Sequence, residues 1–211
     1  MKTSITFLFV GIIAGIQSQA QTTFGLTAGS TYSNIKSKFG NESISGDYKF
    51  GFTAGVFADM LISKSISFQP AINFTQKGAK YKDEFGNETI TLNYMEVPLN
   101  FVYSFQPGKG FFVGAGPSLA FGISGTDKYE MNGQKHTDKI HFGTNPEDDI
   151  NSFEFAANFM AGFRTASGFI ISGGYNAGLS NLANDDGSGN SATAHNNYFT
   201  LKIGWAFNTH K

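Results

Sequence analysis

The protein has 211 residues, of which 15% are charged and 15% aromatic, with 23 Phe, 26 Gly and no Cys. The lack of cysteine excludes disulfide bonds and thiolate metal sites. A formal net charge of −1 without a basic run argues against a nucleic-acid partner. Soluble domains usually carry about 25% charged residues, so this chain is unusually poor in charge and rich in aromatic residues.

Residues 1–20 have the pattern of a secretory signal peptide. A short basic start precedes an apolar run over 5–16, and small residues follow it. The run is too short for a transmembrane helix, which needs about 18 apolar residues or more. We expect export, cleavage after Ala20 and a mature domain of residues 21–211.

The mature domain contains eight segments in which every second residue is apolar, the period of a strand with one apolar face. These alternating positions run from Phe24 to Ala28, Phe50 to Val56, Ile66 to Phe74, Met95 to Tyr103, Phe111 to Phe121, Phe153 to Phe163, Phe169 to Leu179 and Phe199 to Phe207. We predict eight strands of about ten residues and no amphipathic helix.

The intervening positions carry mostly Gly, Ser, Thr and Asn, for example Gly55, Asn73 and Gly116. A soluble sandwich full of Phe does not explain a second face made of glycine, and a lipocalin-like carrier needs an apolar interior. In a small membrane barrel the apolar face contacts lipid, while small and polar side chains fill a narrow interior. The pattern therefore favours a membrane barrel.

The connections between the segments alternate strictly between long and short. Polar stretches at 34–47, 78–88, 124–151 and 183–196 alternate with the short stretches "DMLISKS", "SFQPGKG" and "RTASG". Outer-membrane barrels combine long external loops, short periplasmic turns and an even number of strands. We predict an all-β fold: an eight-stranded antiparallel up-and-down transmembrane β-barrel in the cell outer membrane, with both mature termini in the periplasm.

Four stretches carry a family resemblance: "SFQPAINFTQKGAK" (67–80), "LNYMEVPLNF" (92–101), "FFVGAGPSLAFG" (111–122) and "GGYNAGLSNL" (173–182). They resemble the PorT-type outer-membrane β-barrel proteins of the Gram-negative cell envelope, often labelled "porin family". The resemblance spans essentially the whole mature chain. It implies recognition of the last strand by the barrel-assembly machinery and, for some members, a role in protein secretion. It implies no catalytic residue and no cofactor.

Five charged residues fall on the inward-facing phase of the predicted strands: Glu96, Glu154, Lys49, Lys77 and Lys202. Buried charges are stable only when paired. We expect an internal network that holds the barrel together, with lysines such as Lys202 as partners of Glu96; a gated or proton-conducting path is the functional alternative. Glu96→Ala is expected to lower stability in detergent without creating an activity.

Pro98 lies on the same inward phase, in the apolar stretch "NYMEVPLNFVYSF". Proline cannot donate a ladder hydrogen bond, and a closed barrel has no free edge to accommodate it. We expect a bulge or a locally missing ladder bond at Pro98.

Aromatic residues near the ends of the predicted strands suit the two interfaces of a membrane, where amphipathic rings concentrate. The predicted girdle consists of Tyr32, Tyr103, Tyr175, Trp205 and Phe207.

The loops contain few groups that suggest chemistry. His195 is close in sequence to Asp185, Asp186 and Ser188, and His141 is close to Glu147 and Asp148. These sets resemble hydrolase components, but nothing in the sequence places a base beside a nucleophile. The stretch "NDDGSGN" (184–190) is loosely similar to a calcium loop and lacks its closing acidic residue. We expect solvated loops, no cofactor, no metal and no enzyme.

The sequence therefore predicts a non-enzymatic barrel surrounded by outer-membrane lipid. Because eight strands leave an interior just filled by side chains, we expect no open pore. External loops that bind an unidentified ligand or protein are the expected functional surface. An accessory role in a protein secretion or surface-assembly machine is the alternative, and a lipid-modifying barrel enzyme is a further one.

Overall fold

The computed structural model describes residues 22–40, 42–82, 86–131, 133–145, 148–183 and 192–207, so the predicted signal peptide lies outside the described part of the chain. The described residues form twelve strands. They are β1 (Thr22–Phe39), β2 (Glu42–Ser45), β3 (Asp47–Leu61), β4 (Ile66–Lys82), β5 (Asn87–Gln106), β6 (Lys109–Met131), β7 (Gln134–Ile140), β8 (Phe142–Gly143), β9 (Ile150–Asn151), β10 (Phe153–Arg164), β11 (Phe169–Gly178) and β12 (Ala192–Phe207). Among these residues, no helix is long and apolar enough to cross a bilayer.

Eight of the strands close into a ring of antiparallel neighbours. The order is β1, β3, β4, β5, β6, β10, β11 and β12, and β12 pairs with β1 to complete the circle. The predicted eight-stranded up-and-down barrel is confirmed. One end of the barrel, the turn end, carries the short turns at 62–65, 107–108 and 165–168; the opposite end, the hairpin end, carries the long connections.

The side-chain alternation places the apolar phase outside the ring. Phe50, Phe111 and Leu201 expose 71%, 68% and 60% of their surface, although large apolar side chains are normally buried. A continuous outer belt of this kind is stable only against lipid. The belt is the lipid-facing surface of a transmembrane barrel.

The strands are longer than the predicted ten residues, and this prediction was wrong for most of them. They reach 23 residues in β6, and the segments 34–47 and 78–88, predicted as loops, are largely β1, β2, β4 and β5. Beyond the belt, cross-strand bonds still satisfy the backbone N–H and C=O groups, and no apolar face is needed in water. The barrel wall therefore continues past the membrane belt as paired hairpins.

At Pro98 the outcome is a missing ladder bond and no bulge. Glu96 and Leu99 pair with Asn73 and Pro70 of β4 in one unbroken register, and the ladder skips Val97 and Pro98 between them. The nearest bulge of β5 lies at the Asn93/Tyr94 step, against β6. The loss of one donor is thus absorbed locally, since the strand keeps its register on both sides of the proline.

Candidate functional site

The barrel interior is closed near the turn end by a lower seal of apolar side chains. Its buried members are Phe57, Val102, Phe112, Ile170 and Ala206, one from each of five strands. Next to this seal, Arg164 Nη1 lies 2.7 Å from Asp59 Oδ2. The sequence analysis missed this ion pair, although both residues continue the inward phase that holds Glu154 in β10 and Lys49 in β3. Extending the inward alternation to the ends of β3 and β10 would have identified both Asp59 and Arg164 as inward-facing.

A small polar chamber lies above the lower seal. Its volume is about 50 Å³, and Asn100, Asn158, Glu96 and Lys202 are part of its wall. Asn158 Nδ2 donates to Asn100 Oδ1 at 2.9 Å, over Gly116 of the intervening strand β6. Because a bound water needs about 10–15 Å³ of such volume, the chamber has room for only a few waters.

A charge cluster centred on Lys77 fills the next level. Lys77 Nζ lies 2.7 Å from Glu96 Oε1 and 3.0 Å from Glu154 Oε1, and all three side chains are buried. Glu96 and Glu154 flank Ala120 in one row across β5, β6 and β10, so the small alanine leaves space between the two carboxylates. One ammonium thus bridges three strands of the wall.

The carboxylates of the charge cluster have further donors. Tyr198 Oη and the Thr75 hydroxyl donate to Glu96 Oε2 at 2.6 and 2.9 Å. Lys77 Nζ also sits 4.3 Å from the ring centroid of Tyr94 and 5.0 Å from that of Tyr198. These hydrogen bonds to charged groups and these cation–π contacts offset part of the desolvation cost of burying the three charges.

Two of the five predicted inward charges lie apart from the charge cluster. Lys202, the expected partner of Glu96, faces the chamber and makes no ion pair within 4.0 Å in the described part of the chain. Lys49 Nζ donates to the Phe50 carbonyl at 3.3 Å. Glu96 is thus paired with Lys77, another of the predicted inward lysines, and not with Lys202. The stagger of a closed barrel decides which inward positions meet, and sequence spacing does not specify that stagger.

An upper seal closes the hairpin end. Its buried members are Ile35, Ala79, Leu92, Tyr94 and Ala120. Phe142, from the connection between β6 and β10, packs edge-on against Tyr94 with ring centroids 5.5 Å apart. β8 and β9 form a short parallel pair that holds this connection over the barrel mouth. The described side chains thus obstruct the lumen at three successive levels.

Above the upper seal, the hairpins diverge around an open cleft, which we call the rim cleft. It measures about 700 Å³ between β2 and the outer part of β4 and β5, and Ile44, Lys80, Tyr81, Glu88 and Ile90 are among its lining residues. Burial, followed by the nearby Glu88 carboxylate, raises the pKa of the Tyr81 phenol. The cleft combines an apolar floor with charges of both signs.

A second polar feature of the hairpins is the pair Asp127 and Asp138, directly opposite each other in the ladder between β6 and β7. Burial, followed by repulsion from Asp138, raises the pKa of Asp127. Tyr129 donates to Asp138 at 3.0 Å. In the described ranges, no group of three or more acidic or histidine side chains is placed to hold a metal ion.

The histidines do not assemble a hydrolase site among the described residues. His195 Nδ1 lies 2.9 Å from the Ser180 carbonyl, and His141 Nδ1 lies 3.4 Å from Asp149 Oδ2 in an exposed pair. His136 stacks on Tyr129. The other members of the sets considered from sequence, Asp185, Asp186, Ser188 and Glu147, lie outside the described residues, as does the stretch 184–190.

The five predicted girdle residues all lie on the outer wall, in two groups. Toward the hairpin end, Tyr32 stacks on Tyr48 at 4.4 Å, and Tyr175 lies 4.8 Å from Phe199. The second group lies toward the turn end and comprises Tyr103, Trp205 and Phe207.

The closed ring, the lipid-facing belt and the filled interior define a transmembrane β-barrel. A family described as "Outer membrane protein beta-barrel domain" matches residues 17–184. Because this match covers most of the sequence, the chain belongs to that family and is an outer-membrane barrel.

Solved structures similar to the chain include Ail, the attachment invasion locus protein of Yersinia pestis, with 14% identity and a TM-score of 0.49. Neisserial surface protein A is similar with 12% identity and a TM-score of 0.47. Each likeness covers 89% of this chain and 99% of the other. No curated protein matches the chain.

Proposed function

We propose that this outer-membrane barrel is a non-enzymatic binding protein without an open pore, whose external hairpins hold a ligand or a protein partner. The observation that carries the proposal is the contrast between the obstructed lumen and the open rim cleft. The lumen is obstructed by the lower seal, the charge cluster and the upper seal, whereas the rim cleft is open and measures about 700 Å³. Ligand sites in proteins commonly have volumes of about 300–1,000 Å³.

The rim cleft also has the composition of a binding site. Tyr81, Ile44 and Ile90 supply apolar surface, while Lys80 and Glu88 supply charges that orient a ligand. Aromatic side chains flanked by a few polar groups are the usual basis of specific recognition. By contrast, the His195 ring contacts the Ser180 carbonyl and the His141 ring lies beside Asp149, and neither contact joins an imidazole to a hydroxyl group, which supports a role without catalysis.

The decisive experiment compares two surface variants of the purified barrel in lipid nanodiscs. Tyr81→Ala with Lys80→Ala alters the rim cleft, and Lys64→Ala changes an exposed residue of a short turn as the control. Both are screened on glycan and peptide arrays beside the unaltered protein. We expect one or more specific signals to be lost only in the cleft variant; binding signals that the cleft variant keeps at the level of the unaltered protein would contradict the proposal.

A second candidate function is an accessory role in a protein secretion or surface-assembly machine. The resemblance of 92–101 and 111–122 to PorT-type, "porin family" proteins favours it. A deletion strain with an unchanged set of secreted and surface-attached proteins would remove this candidate. The same strain also tests the remaining alternative of lipid modification, since an unaltered lipid profile argues against an enzyme.

We further propose that residues 1–20 are a signal peptide, that residues 21–211 form the mature domain, and that both mature termini are periplasmic. The even number of strands supports the placement of both ends on the turn side. Export of this kind requires insertion by the barrel-assembly machinery. Mass spectrometry of the protein purified from outer membranes should find Gln21 as the first residue, and protease added to intact cells should leave a C-terminal tag uncut.

The five inward charges and five girdle aromatics are proposed to have structural roles. Lys77, Glu96 and Glu154 would connect the wall strands, and Lys49 and Lys202 would balance charge along the lumen. Tyr32 and Tyr175 would mark one membrane interface, and the second group the other.

A further inference from the structure

The lipid-facing belt contains a depression, which we call the niche. It has a volume of about 650 Å³, lies on the outer wall across β6, β10, β11 and β12, and is lined almost entirely by apolar groups. It lies in the half of the belt nearer the turn end, because Phe105 and Phe163 in its wall directly precede short turns.

The strand register explains why the niche exists. One row across the wall reads Val113, Ala161, Gly173 and Leu201, with the two smallest side chains at its centre. The row two residues toward the hairpin end contains Phe159, Tyr175 and Phe199, and the row two residues toward the turn end contains Phe111, Phe163 and Ile171. Each row is about 6.6 Å from the central one, and Phe111, Phe163 and Ile171 wall the gap on the turn side, above a floor that is nearly bare backbone.

Gly173 differs from the inward glycines of the barrel. A Cβ added at Gly116 or Gly55 would overlap the neighbouring strand's backbone, whereas a Cβ at Gly173 would meet nothing closer than the Thr200 carbonyl at 3.7 Å. Gly173 also lies outside the positive-φ positions of the described chain. Neither packing nor backbone conformation therefore requires glycine here, and the consequence of its missing side chain is the niche itself.

We propose that the niche binds one acyl chain of a membrane phospholipid in the leaflet that borders the turn end. The niche is continuous with the lipid-facing belt, so lipid reaches it without crossing a polar barrier. A hydrocarbon chain laid against Phe111, Phe163 and Leu201 fills the space left by the small residues Ala161 and Gly173 and gains dispersion contacts there. Lys109, on the same outward phase as Phe111 and at the adjacent turn, supplies a cation at headgroup level for the lipid phosphate.

A second copy of the barrel fits the niche less well. Close approach of two barrels needs a flat seam of small residues, but Phe159 and Tyr175 on one side and Phe111 and Phe163 on the other project beyond the niche floor. The edge-to-face pair Phe111 and Phe163, with centroids 5.0 Å apart, forms a raised wall. A single narrow chain enters this space, whereas a second barrel wall rests on the rings.

The test uses the mature barrel in nanodiscs of phosphatidylethanolamine and phosphatidylglycerol, doped with a phosphatidylethanolamine that carries a photoreactive diazirine on one acyl chain. Crosslinked peptides are quantified by mass spectrometry. Ala161→Leu and Gly173→Leu fill the niche, and Ala54→Leu, on the lipid-facing phase of β3, adds the same side chain elsewhere. Heat-modifiable migration on a gel verifies that every variant is folded.

We expect crosslinks in the unaltered protein to concentrate on the β6, β10 and β11 peptides. The crosslink yield should fall about tenfold or more in both niche variants, because a lipid chain that loses burial of two methylene groups binds about tenfold more weakly. Ala54→Leu should leave the yield unchanged. Crosslinks spread evenly around the barrel would overturn the proposal. Crosslinks from the niche to a second barrel, lost in the same variants, would overturn it in favour of a dimer.

Discussion

Lys77 contacts two carboxylates, Glu96 and Glu154, that belong to strands two positions apart in the wall. All three side chains are buried. Moving such charges out of water costs several kcal/mol per ion, which close contacts in a low-dielectric interior offset. Tyr198 and Thr75 complete the coordination of Glu96. The charge cluster is thus stable as a whole and poorly tolerant of losing a member.

Lys77→Met tests this interdependence. The substitution leaves Glu96 and Glu154 facing one another without their shared cation, so we expect the free energy of unfolding in detergent to fall by about 3–5 kcal/mol. Urea unfolding followed by intrinsic fluorescence measures the change. Lys80→Met, three residues further along β4 and exposed, is the matched control and should stay within about 0.5 kcal/mol; equal effects of the two substitutions would contradict a paired interior cluster.

Ionisation of Asp127 destabilises the hairpin formed by β6 and β7. Burial and Asp138 raise its pKa in the folded hairpin, so the folded state holds the proton to higher pH than the unfolded state does. The associated stability is fully present below the ordinary pKa of 3.8 and is lost as the pH rises through the folded value. Amide hydrogen-exchange protection in β6 and β7, corrected for intrinsic rates, should therefore decrease between pH 4 and neutral pH.

The variant Asp127→Asn removes the titrating group and should flatten that decrease while raising protection at neutral pH. Glu42→Gln, in the separate hairpin of β1 and β2, should leave the profile of β6 and β7 unchanged. A profile of Asp127→Asn that still falls with pH would assign the effect to another group.

At the scale of the strands, inward glycines let adjacent strands coil tightly around a narrow lumen. A Cβ at Gly116 of β6 would overlap the Leu99 carbonyl of β5, and one at Gly55 of β3 would overlap the Ile72 carbonyl of β4. The period-two pattern alone marks these residues as inward. The close backbone approach that requires glycine there follows from the coiling of the closed sheet.

Gly116→Ala and Gly173→Ala form a matched pair that tests this reading. Each adds one methyl group to a mid-strand glycine, on the inner wall in the first case and on the outer wall in the second. We expect Gly116→Ala to destabilise the barrel by about 1–3 kcal/mol through overpacking and Gly173→Ala to stay within about 0.5 kcal/mol. Comparable urea midpoints for the two variants would contradict the close approach of β5 and β6.

Some features of the strands could be predicted from the sequence, and others could not. Alternation predicted the strand count, the outward phase from Phe24 to Phe207, and the inward position of Glu96, because each depends only on local period. The partner of Glu96 depends on stagger between distant strands, and Lys77 occupies the place expected for Lys202. The hairpin extensions, such as β4 beyond Lys77, escaped prediction because their polar composition lacks the apolar period.

Across the whole molecule, the charge cluster that fills the middle of the lumen lies between two seals of different origin. The lower seal, which includes Phe57 and Phe112, belongs to the barrel wall, and its apolar members sit on the otherwise polar inward phase. The upper seal consists of wall residues and is completed by Phe142 and Ile150, which come from the connection between β6 and β10. Sequence alone predicted a filled interior from the strand number, but a connection that folds back onto Tyr94 has no local signature.

This arrangement predicts how the barrel behaves in planar bilayers. The unaltered protein should give no steady conductance. Replacing residues 141–151 by a Gly/Ser linker removes Phe142 and Ile150 from the upper seal and should still give none, because the charge cluster, Phe57 and Phe112 continue to block the lumen. Phe57→Ala with Phe112→Ala opens only the lower end and should also remain closed. The combined variant should also give none, because Lys77, Glu96 and Glu154 still fill the lumen between the two seals; discrete current steps in this variant would show that the charge cluster does not obstruct the lumen. Heat-modifiable migration verifies folding in each case, and steady conductance of the linker variant alone would show that neither the charge cluster nor the lower seal closes the barrel.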